Sequence, residues 1–529
     1  MNVRDTHIIM ANHAGEGAPL KRQVTNVTGT THWRRGVLAG ALALGVLAAP
    51  LPAMVMATPP ATTPDASLDT VIRMIDDGQF HAAEARIQKR LAQDSLSADE
   101  KRAWRFQRER MRRMRMDFSL TADDVKERVR RRIPDLSDAE FARWDAHGLF
   151  EHMVIDGERR YFRRSPSNLF RLSAEARKRR AKQTPFHAGF LESADDYHRQ
   201  IIRAALGSDK SSVLPQHVKV TQSVTVDADA VPAGKTLRAW IPYPRAIKGQ
   251  QEDIHFDTSD PAEHRIAPES TMQRTVYLEK IAEAGKPTVF SVTYDLDLYA
   301  QYHAIDADEV VPAKITPALK PYVSERPPHI VFSQPLEVFS KQIVGDATNP
   351  YRIAQRIYAA VDDTPWAGAR EYSTVSHLGT YAMHAGHGDC GQQTMLLITL
   401  MRMNGIPARW QSGWTFTRGD YNDIHDWAEI YLEPYGWVPV DVTYGRLDSA
   451  DPAVKWFYLG GLDNFRIAFN DDFGQPFVPA KQSFRSDTVD SQRGEVEWEG
   501  GNLYYDQWSY HFEWTIQAPK RQGKKPAGD

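Results

Sequence analysis

One cysteine in 529 residues rules out any disulfide within the chain, so its folded cores must be held by packing and hydrogen bonds. That cysteine, Cys390, lies in Gly388-Asp389-Cys390-Gly391-Gln392-Gln393, directly ahead of an apolar run over residues 395–403. Residues 394–404 are apolar on several sides (Met395, Leu396, Leu397, Ile398, Leu400, Met401), which predicts a helix buried over most of its surface. Gly405 and Pro407 supply the stop. Asp389 is a good N-cap residue type. A thiol at a helix N-terminus meets unpaired N–H groups and the positive end of the macrodipole, and both favour a thiolate. The same position would also suit a cysteine that only fills space.

The length allows about three domains. With 42% apolar and 10% aromatic residues, the chain can build packed cores and is not a disordered polymer. A net charge of −3 points to no partner, but its distribution is uneven. Residues 101–182 hold 24 Lys and Arg against 13 Asp and Glu. This basic stretch could meet an anionic polymer such as cell-wall material, or a membrane surface. It could equally be a solvated helix face laced with i,i+4 ion pairs. No nucleic-acid motif accompanies it, so nucleic acid is not an expected partner.

Residues 1–57 read as a signal peptide. Trp33-Arg34-Arg35 is followed by an uncharged stretch, 36–57, that ends in the small-residue site Val55-Met56-Ala57. The 22 uncharged residues are also long enough for an uncleaved anchor. Both alternatives put the body outside the cytoplasm, so the protein is expected to be periplasmic or secreted, and membrane-anchored if uncleaved.

Residues 58–67 form a Pro/Thr linker, and 68–210 a basic, mostly helical module. Within that module Ser97 to Glu100 is a capping box, and Asp156-Gly157 turns a small hairpin. From Val218 the period changes to two: Val218, Val220, Val224, Val226; then Leu237, Ala239, Ile241; then Phe290, Val292, Tyr294, Leu296, Leu298. Residues 215–300 therefore read as a β-sandwich domain. A proline-rich connection, 301–345, leads to a core at 346–450. A C-terminal β-rich extension follows at 451–517, then a disordered tail at 518–529.

A thiolate nucleophile needs a base, and the base needs an orienting group. His425 and Asp441 supply those types on two consecutive strand-like segments. Side chains alternate along strands, so the two share a face only if paired residue numbers sum to an even value. A three-residue connection at 432–434 would set His425 opposite Asp441, whereas a two-residue turn would separate them. An ion pair with His425 would further lower the thiol pKa. Two rival sites are legible. His384-x2-His387-x2-Cys390, with His377 nearby, has the spacing of a zinc site, although Gly386 and Gly388 favour a loop. Asp463, Asp471 and Asp472, near Asn464 and Asn470, could be a cation site or a polar turn. The Cys–His–Asp set explains more of the pattern, so no metal and no cofactor is expected.

Gly388-Asp389-Cys390, Gly405-Ile406-Pro407-Ala408-Arg409, Ser412-Gly413-Trp414, His425-Asp426-Trp427-Ala428-Glu429 and Gly436-Trp437-Val438-Pro439-Val440-Asp441, in this order, resemble the core of the transglutaminase-like superfamily. The resemblance covers about residues 350–446. It implies an α+β, papain-like core, with a cysteine-bearing helix packed on an antiparallel sheet and Cys390, His425 and Asp441 as catalytic triad. The backbone N–H of Cys390 is expected to serve the oxyanion, with Trp366 and Tyr372 as further candidates. Asp426 stands where the family commonly has alanine, on a strand position expected to face outward. The implied chemistry is an acyl-thioester formed from an amide of a protein or peptide substrate, cell-wall peptides included. Water as acceptor makes a peptidase or amidase, which is the default because excluding water takes a dedicated site. An amine as acceptor makes a protein-glutamine transglutaminase, and a binding protein that keeps the fold without catalysis is the third alternative.

Overall fold

The computed structural model describes residues 67–183, 190–419 and 421–517. The expected signal peptide or anchor, nearly all of the linker and the C-terminal tail lie outside these residues. Among the described residues no helix is long and apolar enough to cross a membrane. The molecule is mixed α/β with antiparallel sheets.

The basic segment folds as two small helical cores. Leu68–Asp76, Phe80–Leu91 and Ala98–Asp117 close on Val71, Ile75, Phe80, Ile87, Trp104 and Met114. Ala122–Arg130, Asp138–Ala146 and Ser165–Leu172 close on Val125, Val129, Phe141, Trp144 and Leu169. Capping boxes start three of these helices, at Ser97, Thr121 and Ser137, each worth about 1 kcal/mol. Several arginines turn inward to other parts of the chain. Arg110 donates to Asp76 and to the Thr374 carbonyl. Arg113 donates to the carbonyls of Arg485 and Ser486, and Arg112 pairs with Asp506. The module is thereby tied to the segments around 371–376 and 482–506.

The alternating segments form two five-stranded antiparallel sheets packed face to face. In one, Ser212–Val226 lies between Thr288–Tyr302 and Trp508–Gln517. In the other, Thr236–Pro242 lies between Thr275–Ile281 and Glu495–Trp498. Val218, Val220, Phe290 and Val292 face Leu237, Ala239, Ile241 and Val276 in a shared core. Both sheets thus recruit strands from the 451–517 segment: Trp508 pairs with Val226 and Gln517 with His217. Strand character is local and visible in sequence, but a partner hundreds of residues away is not.

The cysteine helix, Cys390–Met403, is buried from Gly391 to Arg402, which is why its apolar residues occupy several sides. It packs on a four-stranded antiparallel sheet in the order Gly436–Val440, Asn422–Leu432, Ala408–Phe416, Arg466–Asn470. Gly413 is obligatory in this sheet, because a Cβ there would lie 1.8 Å from the Ile467 carbonyl oxygen.

Candidate active site

Asp389 caps the cysteine helix, accepting the Gln392 N–H at 3.1 Å, while the Gln392 side chain accepts the Asp389 N–H. Cys390 is therefore the first helical residue and is half-buried. Its own N–H has no hydrogen-bond partner among the described residues, as the first position of a helix predicts.

The strand Asn422–Leu432 turns into Gly436–Val440 through Glu433-Pro434-Tyr435, with Leu432 opposite Gly436 and Ala428 opposite Val440. The connection has three residues but sits one place later than the sequence suggested. The pairing sum is still even, so His425 and Asp441 keep a common face. Their side chains meet, with His425 Nε2 2.7 Å from Asp441 Oδ2. Arg466, from the far strand of the sheet, donates to the same Oδ2 at 2.9 Å and also pairs with Asp463. The N–H groups of Thr443 and Tyr444 donate to Asp441 Oδ1. Tyr444 stacks on the imidazole at 4.6 Å between ring centres. Burial alone would raise the Asp441 pKa, but His425 and Arg466 outweigh it and bring it down to about 2. Asp441 is therefore a firm anion that holds the imidazole in place.

Asp426, the next residue along the strand, has the opposite environment. The outward orientation expected for it is corrected by the structure. Only 1% exposed, Asp426 turns to the cysteine helix, where Cys390 Sγ donates to its Oδ2 at 3.2 Å. The helix N-terminus lies against this strand, so the position after His425 is interior. Tyr372 Oη lies 3.0 Å from Asp426 Oδ2 and 3.0 Å from Asp389 Oδ1, and accepts the Gly391 N–H at 3.1 Å. A phenol has one proton to donate, so one of the two carboxyls carries a proton when both contacts are made. Gln492 spans the strand, donating to the His425 carbonyl at 2.8 Å and to Asp426 Oδ1 at 2.7 Å. Burial, then the Asp426 charge, raises Asp389 to about 7, and burial raises Asp426 too.

The thiol responds to that company. Burial, then Asp426 and Asp389, pushes Cys390 well above the ordinary thiol value. This corrects the expectation of a lowered pKa: burial acts first, and the thiol's hydrogen bond runs to a carboxylate and not to His425.

Tyr372 and Trp366, the two side chains considered for the oxyanion, both flank the cysteine. Tyr372 is the hub just described. Trp366 pairs by backbone with Gly388 and stacks under the Arg171 guanidinium at 4.2 Å. The helical module braces this segment. Asn168 exchanges two hydrogen bonds with the Gly368 backbone, at 2.9 and 3.0 Å. Glu371 is gripped by Arg163 at 3.2 Å and Arg493 at 2.9 Å, which bring its pKa to about 2 despite burial.

The rival sites are not assembled. His384 is exposed, His387 is buried with its pKa pushed down to about 4, and no group of three His, Cys, Asp or Glu among the described residues could hold a metal. Asp463, Asp471 and Asp472 pair separately, with Arg466, Arg245 and Arg326. Arg466, Tyr444 and Gln492 escaped the sequence reading. Nothing local marks Arg466 or Gln492, because their partners lie 25 and 66 residues away.

Part of the chain is similar to known proteins. Residues 337–442 match the model of a family described as the transglutaminase-like superfamily. A Bacillus subtilis (strain 168) protein, the uncharacterized YebA, is 32% identical over 78 residues, 12% of this chain and 10% of that protein. The chain thus spans about a tenth of the length of that relative. Among solved structures, a Cytophaga hutchinsonii protein described as a candidate cysteine protease aligns at TM-score 0.41 and 18% identity, over 58% of this chain and 93% of its own. The periplasmic domain of TgpA from Pseudomonas aeruginosa aligns at TM-score 0.23 and 12% identity, over 44% of this chain and 93% of its own.

Proposed function

Starting from a chain whose residues 337–442 match the transglutaminase-like superfamily model, we propose that it is an exported cysteine-dependent enzyme that hydrolyses amide bonds through an acyl-thioester. The observation that carries this reading is the 2.7 Å contact between His425 and the charge-balanced Asp441, on the strand against which the Cys390 helix end packs. Cys390 Sγ leaves its contact with Asp426 and attacks the carbonyl carbon, and its proton passes to His425. The partnerless N–H of Cys390 is an oxyanion donor. His425 then gives the proton to the leaving amine, and Asp441, fixed by Arg466, keeps the ring oriented throughout. Water completes the cycle, since excluding it would take a dedicated site. The uncharged stretch at 36–57 directs the enzyme outside the cytoplasm, towards protein or cell-wall peptide substrates.

The test incubates wild type and Cys390→Ala with cell-wall peptides and with a casein-like protein plus a labelled amine, and follows products by mass spectrometry. Hydrolysis by the wild type, with a loss of about a thousandfold in Cys390→Ala, is the expected result. Incorporation of the amine instead of water would replace hydrolysis by acyl transfer. Equal turnover by the two proteins would overturn the enzymatic reading.

A further inference from the structure

The contact between Cys390 and Asp426 has no place in the reaction just described, which needs the thiol proton on His425. The Asp426 carboxylate takes both the S–H and the Gln492 amide. The groups facing it leave it no direct cation. His425 lies on its own strand, Asp389 and Cys390 at the helix end, Tyr372 on the adjoining turn, and Asp490 with Gln492 on the 486–493 segment. His425 has its Nε2 engaged by Asp441, and the nearby guanidiniums act on the neighbouring carboxyls, Arg164 on Asp389 and Asp423 and Arg493 on Asp423.

We propose that Asp426 is a positioning residue that holds the Cys390 thiol protonated and turned away from His425, so that the resting site stores an unreactive thiol. The proposal rests on the nucleophilic role given to Cys390 above. In the resting site the S–H bond is intact and points at Asp426 Oδ2. Release breaks that hydrogen bond, and the thiol proton then goes to the imidazole, leaving a thiolate and an imidazolium. An ionised Asp426 beside the sulfur opposes this by Coulomb repulsion. A neutral group in its place does not.

The experiment follows alkylation of Cys390 by iodoacetamide against pH, in full-length wild type, Asp426→Asn and Asp426→Ala, with thermal melting as a check of folding. Cys390 is the sole cysteine, so the label reads one thiol. In wild type the midpoint is expected above that of a free thiol, about 8.5. Both variants should move it down by a unit or more, which makes alkylation at pH 7 about tenfold faster. A wild-type midpoint below that of a free thiol overturns the proposal with no variant needed. An unchanged midpoint in either folded variant overturns it too. The readout involves no amide substrate, so loss of the hydrolytic reading and loss of this one are separate outcomes.

Discussion

Asp441 and Asp426 lie close to the same imidazole and are almost fully buried, 0% and 1% exposed, yet their surroundings drive them in opposite directions. Asp441 receives His425, Arg466 and two backbone N–H groups, and is held ionised. Asp426 receives a thiol, a phenol and an amide, with Asp389 and Asp490 as neighbours, and burial raises its pKa with no cation in hydrogen-bond contact to offset it. Burial acts in the same direction on both. What separates them is the supply of positive charge within hydrogen-bond reach, so one face of the strand anchors a base and the other sets a carboxylate against the thiol.

Removing the cation should erase the difference. Arg466→Met leaves Asp441 and Asp463 buried without their guanidinium, and a loss of about 3–5 kcal/mol in denaturant unfolding at neutral pH is expected. A loss below about 1 kcal/mol would mean that the backbone donors alone keep Asp441 charged. Crowding tests the other face. A Cβ on Gly391 would lie 2.1 Å from Tyr372 Oη and 2.7 Å from Asp426 Oδ2. Gly391→Ala should therefore cost about 1–3 kcal/mol, and adding Tyr372→Phe should restore part of it. Full tolerance of the alanine would show that the Tyr372 hub is loose.

The smallest effect is a pH dependence of opposite sign on the two faces. Asp389, raised to about 7 in the folded protein, gives up its proton more readily when unfolded. Wild type therefore loses stability from this group as pH rises from about 4 through 7. Asp389→Asn keeps a good N-cap and has no proton to lose, so it should gain about 1–2 kcal/mol over wild type at pH 8 and little at pH 4. Asp441, lowered to about 2, contributes stability above its ordinary value, and that contribution is lost as pH falls from about 4 to 2. A melting-temperature series from pH 2 to 9 reads both limbs, and a flat difference between Asp389→Asn and wild type would contradict a proton held at Asp389.

The candidate residue types, the helix and the two strands were legible in sequence, and strand parity was legible only as a condition on the loop length. Periodicity marked the helix behind Cys390, and the capping residue Asp389 fixed where it starts. The connection through Glu433-Pro434-Tyr435 preserved the parity that brings His425 to Asp441. Each of these depends on neighbours in the chain. The site's charge balance does not. Asp426 read as an outward position because alternation along one strand cannot reveal which helix end covers a given face. Arg466, Gln492 and the module residues Arg163 and Asn168 reach the site only through the packing of distant segments.

By itself the sequence determined a single thiol, its place at a helix N-terminus, and a histidine and an aspartate on consecutive strands, because propensity, capping and alternation act over a few residues. Tertiary structure decided which groups surround the thiol and with what net charge. It also returned the 495–517 strands to the β-sandwich. The physical reason is the same in both cases. Electrostatic environment and sheet pairing depend on distance in space, and the chain's order does not encode that distance until it folds.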